Sequence, residues 1–214
     1  MISGILAAWR EVKAIVLGLI GLTVLAGGLR QWRWAALTAG LLGWVFYFFR
    51  DPERQPVSQA QDLILAPADG RVMSIELVDE PLFFQAKAKR IAVFMSVLDV
   101  HVQHSPYEGT VKFLRYQPGS FKPAFLKDTA ENEYNFIGLD TRCGRLAIKQ
   151  IAGILARRVV CWVKVETELQ RGQRMGLIRF GSRVDLFLPP DTKPLVHVGE
   201  QVYAGQTVVA RWDI

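Results

Sequence analysis

Cysteine is scarce in this chain: Cys143 and Cys161 are the only two among 214 residues. Neither has a Cys-x-x-Cys partner or a nearby histidine, so both read as reduced residues of the core rather than as metal ligands. Histidine occurs three times, and nothing matches a helical His-Glu-x-x-His with a third ligand. No metal is therefore expected. A basic helix with interleaved aromatics is missing too, which turns the net charge of +6 away from nucleic acid. A convincing signal-peptide cleavage site is also lacking, and a second apolar segment follows the first, so a signal peptide is not expected.

What the chain has in excess is apolar sequence, 50% in all and concentrated in the first fifty residues. Residues 14–29 carry no charge, and neither do residues 34–49. As helices each would run roughly 24 Å, short of a ~30 Å hydrocarbon core. With Arg30 and Arg33 between them, they predict a membrane-associated helical hairpin over 1–50, either spanning with snorkelling flanks or dipping in from one side. Arg10 and Lys13 before it, and Arg50 and Arg54 after it, outnumber the turn's charges, which puts the main domain on the cytoplasmic side of the cell membrane.

The two prolines of Asp51-Pro-Glu-Arg-Gln-Pro56 mark a linker. Beyond it, over 51–214, short strands alternate with turns. Residues 91–97 form a continuous apolar run expected of a fully buried strand. Pro67-Ala-Asp-Gly-Arg-Val72 and the glycine-punctuated tail 196–209 resemble the turns of lipoyl-type domains. The expected fold is mainly β, a barrel-sandwich-like antiparallel domain behind the helical hairpin. Residues 117–135 are polar and rich in turn formers, and Lys122 and Lys127 there suit a membrane surface.

Residues 175–189 predict two short strands interrupted at Gly181-Ser182. A kinked strand with a solvated serine explains this, and so does a strained peptide bond that is chemically altered. Upstream, Asp99, His101 and His104 follow a buried strand, and a carboxylate beside imidazoles suits proton transfer near neutrality. Asp69 is either a turn residue or the carboxylate that orients a histidine.

Taken in order, Phe48-Phe-Arg-Asp-Pro52, Pro67-Ala-Asp-Gly-Arg-Val72, Phe94-Met-Ser-Val-Leu-Asp-Val-His-Val102, Gln150-Ile-Ala-Gly-Ile-Leu-Ala-Arg-Arg158 and Arg179-Phe-Gly-Ser-Arg-Val-Asp185 closely resemble the short, membrane-associated form of phosphatidylserine decarboxylase. The resemblance implies a proenzyme that cuts itself between Gly181 and Ser182. A β chain (1–181) and an α chain (182–214) would stay associated, with Ser182 converted to a covalent pyruvoyl cofactor. Phosphatidylserine in the membrane would become phosphatidylethanolamine through a Schiff base to that group. By motif, Asp69 falls at the orienting carboxylate of self-cleavage, His104 at its base, and His101 at the acid/base of decarboxylation, with Asp99 beside them. If His104 is dispensable, His101 serves both steps. Arg179 and Arg183 flank the cut and are candidates for holding the lipid phosphate or carboxylate. An archaetidylserine-type substrate and a homodimer stay open. Two rival classes remain: a non-catalytic, membrane-tethered binding module, and a hydrolase with Ser182, His104 and Asp69 as an intact triad. A lipoyl-type carrier needs a lysine at a hairpin tip, and residues 196–209 have none.

Overall fold

A computed structural model of the chain describes residues 2–58, 60–122, 131–153, 159–178 and 182–213. It divides into two compact units, 1–52 and 53–214. The first is a pair of helices, α1 (Ile2–Gly28) and α2 (Trp32–Phe48). They pack through Val12, Val16, Leu19 and Val45, with Thr23 Oγ1 2.8 Å from Thr38 Oγ1 across the pair. Arg30, in the left-handed region at φ 56°, makes the turn between them. Helix α1 starts well before the uncharged segment, so Arg10 and Lys13 lie within it rather than ahead of it. No proline interrupts that stretch, and its Ala, Leu and Arg residues favour helix. Much of the outer surface stays apolar, with Leu17, Val24, Leu25, Trp32, Trp34 and Leu37 exposed. Among the described residues no helix is long and apolar enough to cross a membrane.

The second unit is mainly β and antiparallel throughout its named strands. In chain order these are β1 (Leu63–Leu65), β2 (Gly70–Glu80), β3 (Ala86–Met95), β4 (Val102–His104), β5 (Gly109–Gln117), β6 (Tyr134–Thr141) and β7 (Gly144–Ala152). There follow β8 (Val159–Cys161), β9 (Glu168–Leu169), β10 (Arg174–Ile178), β11 (Ser182–Leu188), β12 (Lys193–Pro194), β13 (Gln201–Val202) and β14 (Val208–Arg211). Eight of them make one curled sheet in the order β13-β2-β3-β11-β7-β6-β5-β9. Two three-stranded sheets, β1-β14-β12 and β4-β10-β8, complete the unit. The result departs from two matched small sheets, because the long hairpins β2–β3, β5–β6 and β6–β7 all join a single sheet.

Strand β11 lies at the centre of that sheet, between β3 and β7, and is buried along its whole length. Alternation sends Val184, Leu186 and Leu188 into the main core with Ile91, Val93 and Ile148. Phe187, on the opposite face, packs with Tyr134, Phe136 and Ile151. Each such buried side chain contributes about 1.5–3 kcal/mol relative to exposure. An aromatic turn covers this second face: Phe83 lies over Gly138, where an added Cβ would come 2.8 Å from its ring. The Glu80 carboxylate holds that turn by accepting the N–H groups of Leu82, Phe83 and Phe84 at 2.8–2.9 Å.

Candidate active site

The strand break read from the sequence is a change of sheet. Strand β10 ends at Ile178 in the β4-β10-β8 sheet, and β11 starts at Ser182 in the eight-stranded one. Gly181 and Arg179 fall in the crossing, outside the described residues. Ser182 is opposite Met95 on one side and Ala152 on the other. Its side chain is fully buried, and its hydroxyl donates to Met95 Sδ at 3.2 Å. The solvated serine is thereby excluded.

Both ends of the crossing are tied to the segment Met95–His101. Ser182 is paired with Met95, and the Ile178 N–H donates to the His101 carbonyl at 3.3 Å. Four peptide steps span at most about 14 Å, so Ser182 lies within that reach of Ile178, whose N–H is bonded to the backbone carbonyl of His101. That imidazole is buried, and its Nδ1 lies 2.8 Å from the Asp99 carbonyl oxygen. A proton donated there from Nδ1 places the basic lone pair of the neutral ring on Nε2. The Asp99 carboxylate itself closes the preceding turn, accepting from the Ser96 N–H at 2.7 Å and from Gln201 Nε2 at 3.3 Å.

His104 is placed differently. The β4 side chains alternate: Gln103 Nε2 reaches within 3.7 Å of Met95 Sδ, while the His104 ring lies against Gly205, where an added Cβ would meet it at 3.5 Å. Asp69 gathers at the same 204–205 turn. Its two oxygens take both NH groups of Arg54 in a forked pair, and one also accepts the Ala204 N–H at 2.8 Å. The structure thus ties Ser182 to Met95, and Asp69 to Arg54 and to the 204–205 turn against which His104 packs.

Arg183 does not stand beside the Ser182 hydroxyl. It alternates to the opposite face of β11, where it is buried and bonded to Asp185 at 2.6 and 2.9 Å. Its charge is neutralised there rather than offered to a headgroup. Lys149, on that face, has its pKa lowered by burial, which outweighs the opposing charge of Asp185. Burial likewise pushes the Cys161 thiol up. Both cysteines are free and half-buried. Among the described residues no cluster of His, Cys, Asp and Glu is arranged to hold a metal ion.

Three residues at this site escaped the sequence reading. Met95, Gln103 and Gln150 surround the Ser182 side of the sheet, and Gln150 Nε2 donates to Gln103 Oε1 at 2.8 Å. Gln150 had a legible signal: it occupies an inward position in the row Leu146, Ile148, Gln150, Ala152, where apolar residues belong.

Comparison with known proteins identifies the family. Residues 41–210 match the family model for phosphatidylserine decarboxylase. A phosphatidylserine decarboxylase proenzyme from Symbiobacterium thermophilum is 46% identical over 204 residues, 94% of each chain. The proenzymes of Chlorobium luteolum (45% identical, 81% of this chain and 82% of the relative) and Gluconacetobacter diazotrophicus (46%, 89% and 88%) are similar over almost as much. With most of its length matched, and its buried serine at the crossing of two sheets, this chain belongs to the phosphatidylserine decarboxylase family.

Proposed function

We propose that the chain is a self-processing proenzyme that decarboxylates phosphatidylserine to phosphatidylethanolamine with a pyruvoyl group made from Ser182. The observation that supports this reading is the tethering of Ile178 to the His101 backbone and of Ser182 to Met95, which ties both sides of the bond to be cut to the segment that carries this imidazole. Ser182 Oγ attacks the Gly181 carbonyl carbon. His101 Nε2 takes the hydroxyl proton and returns it to the Ser182 nitrogen as the C–N bond breaks, leaving an ester on Oγ. Removal of the Ser182 Cα proton expels the Gly181 carboxylate, the new end of chain 1–181. The resulting Cα–Cβ double bond rearranges to an imine bearing a methyl group, and water releases ammonia.

The surroundings fit such a group, since the methyl carbon left from Ser182 would face the Met95 thioether and the apolar core. Once formed, the pyruvoyl supplies a ketone that condenses with the substrate amine and takes up the electron pair left by carbon dioxide. His101 is then placed to hand a proton to the carbon that carbon dioxide leaves. In this reading His101 serves both steps, while His104 packs on Gly205.

Denatured intact mass is the test. Two fragments are expected, the smaller being 182–214 with a pyruvoyl start, lighter by one ammonia than the same fragment beginning with serine, and Ser182→Ala should stay uncut and inactive. A single unmodified full-length mass from the natural chain would overturn the reading.

The exposed apolar surface of α1 and α2 supports a location at the cell membrane, the helices dipping in from the cytoplasmic side. In flotation, the full chain should rise with vesicles containing phosphatidylserine; recovery from the dense fraction alone would count against it.

A further inference from the structure

Two buried carboxamides stand next to Ser182, where the strand pattern calls for apolar side chains. Gln103 and Gln150 are both fully buried. Placing an amide in such a core costs free energy unless its groups are bonded, so the way these two are bonded is informative.

The orientation of both amides follows from one fixed acceptor. The His101 backbone carbonyl can only accept, so Gln103 must turn its NH2 toward it, at 2.7 Å. That leaves Gln103 Oε1 facing Gln150, which must in turn present its own NH2, at 2.8 Å. Gln150 Oε1 is then left over, buried and without a hydrogen-bond partner. A pair arranged for its own stability would not end on an orphaned acceptor, which costs about 1–3 kcal/mol. The donors instead run in one direction, from β7 to the carbonyl of His101. Gly176 on β10 forms the roof: an added Cβ would lie 2.5 Å from Gln150 Nε2 and 2.6 Å from the Val160 carbonyl oxygen.

Building on the reading of Ser182 and His101 given above, we propose that Gln103 is a positioning residue for both self-cleavage and decarboxylation, anchored by Gln150. The carbonyl that Gln103 holds also accepts the Ile178 N–H, the last described amide before the cut. Gln103 therefore fixes two things with one bond. It sets the His101 backbone, and through the Asp99 contact its ring, and it sets the approach of the segment leading into Gly181–Ser182. Its 3.7 Å contact with Met95 Sδ places the same amide one atom away from the Ser182 hydroxyl.

The test compares Gln103→Met and Gln150→Met, which keep volume and remove hydrogen bonds, with the natural chain. Three quantities are read: the fraction cleaved over time by denatured mass, kcat and KM of the cleaved fraction across pH, and Tm. Gln103→Met is expected to keep or raise Tm while slowing cleavage, and to lower kcat about 10–100-fold with KM little changed. Its pH profile should also shift, because His101 is no longer held. Gln150→Met, which leaves the bond to His101 but loosens Gln103, should fall between. The proposal is overturned if Gln103→Met cleaves and turns over within twofold of the natural chain with the same pH profile. Should Gln103→Met not fold, normal cleavage and turnover in Gln150→Met overturn it equally. An uncut natural chain would instead defeat the functional reading itself, so the two failures are distinguishable.

Discussion

Two residues separate His101 from His104, and strand alternation gives them different neighbours. His101 is bonded to the chain entering the cut, whereas His104 rests on the 204–205 turn. His101→Ala is accordingly expected to block both cleavage and turnover. His104→Ala should leave cleavage within about tenfold of natural, by the usual scale for residues outside the proton path; scoring cleavage by mass and turnover separately decides it. Arg54 is the more structural case. Arg54→Met would leave the Asp69 carboxylate buried without its cation, a loss of about 3–5 kcal/mol readable in urea unfolding. Lys149 gives the opposite sign. Its folded pKa lies below the ordinary lysine value, so the unfolded chain binds that proton more readily, and stability rises as pH climbs through that window. Lys149→Met should therefore raise Tm at neutral pH, with the gain fading above about pH 10.5, where the lysine is neutral in both states. At this scale the sequence marked Ser182, His101 and Asp69 through motif order. It did not reveal that Asp69 bonds Arg54 or that Arg183 bonds Asp185. A pattern of residue types shows which chemistry is present, while a bond between distant positions depends on how the sheets bring them together.

At the scale of the element, the buried strand was legible from Ile91 to Met95, although the expected run to 97 overshot the strand and Val97 is exposed, and the alternation after Gly181 was legible too, since burial on two faces and period two leave direct marks in sequence. The change of sheet at 179–181 was not. Ile178 and Ser182 each continue a plausible strand, and only pairing with β4 on one side and β3 on the other separates them. The start of α1 was missed because a charge at Arg10 or Lys13 interrupts hydropathy without interrupting helix. The β2–β3 turn offers a test of local design. Glu80→Gln keeps the shape but removes the charge that three N–H groups share. A loss of about 1.5–3 kcal/mol is expected, with faster hydrogen exchange at Leu82, Phe83 and Phe84. Unchanged exchange would mean that the aromatic packing alone holds the turn.

For the whole molecule, two units of unlike character share one chain: a helical pair whose outer surface is apolar, and a β unit that buries its apolar residues on both sides of one sheet. Composition revealed this division, because the excess apolar residues are confined to the N-terminal fifty. Composition could not show how eight strands order themselves, since sequence-distant pairings such as β13 with β2 leave no local signature.

The central position of β11 has a consequence for the processing proposed above. Both of its neighbours, β3 and β7, belong to the segment before the cut, and β14 is likewise flanked by β1. The short fragment would thus be interlocked with the long one, like a slat woven through the middle of a blind. Severing the backbone would free no surface and release no strand; departure of the fragment would require global unfolding. Exchange with isotopically labelled 182–214 should then proceed no faster than the unfolding rate in the same buffer.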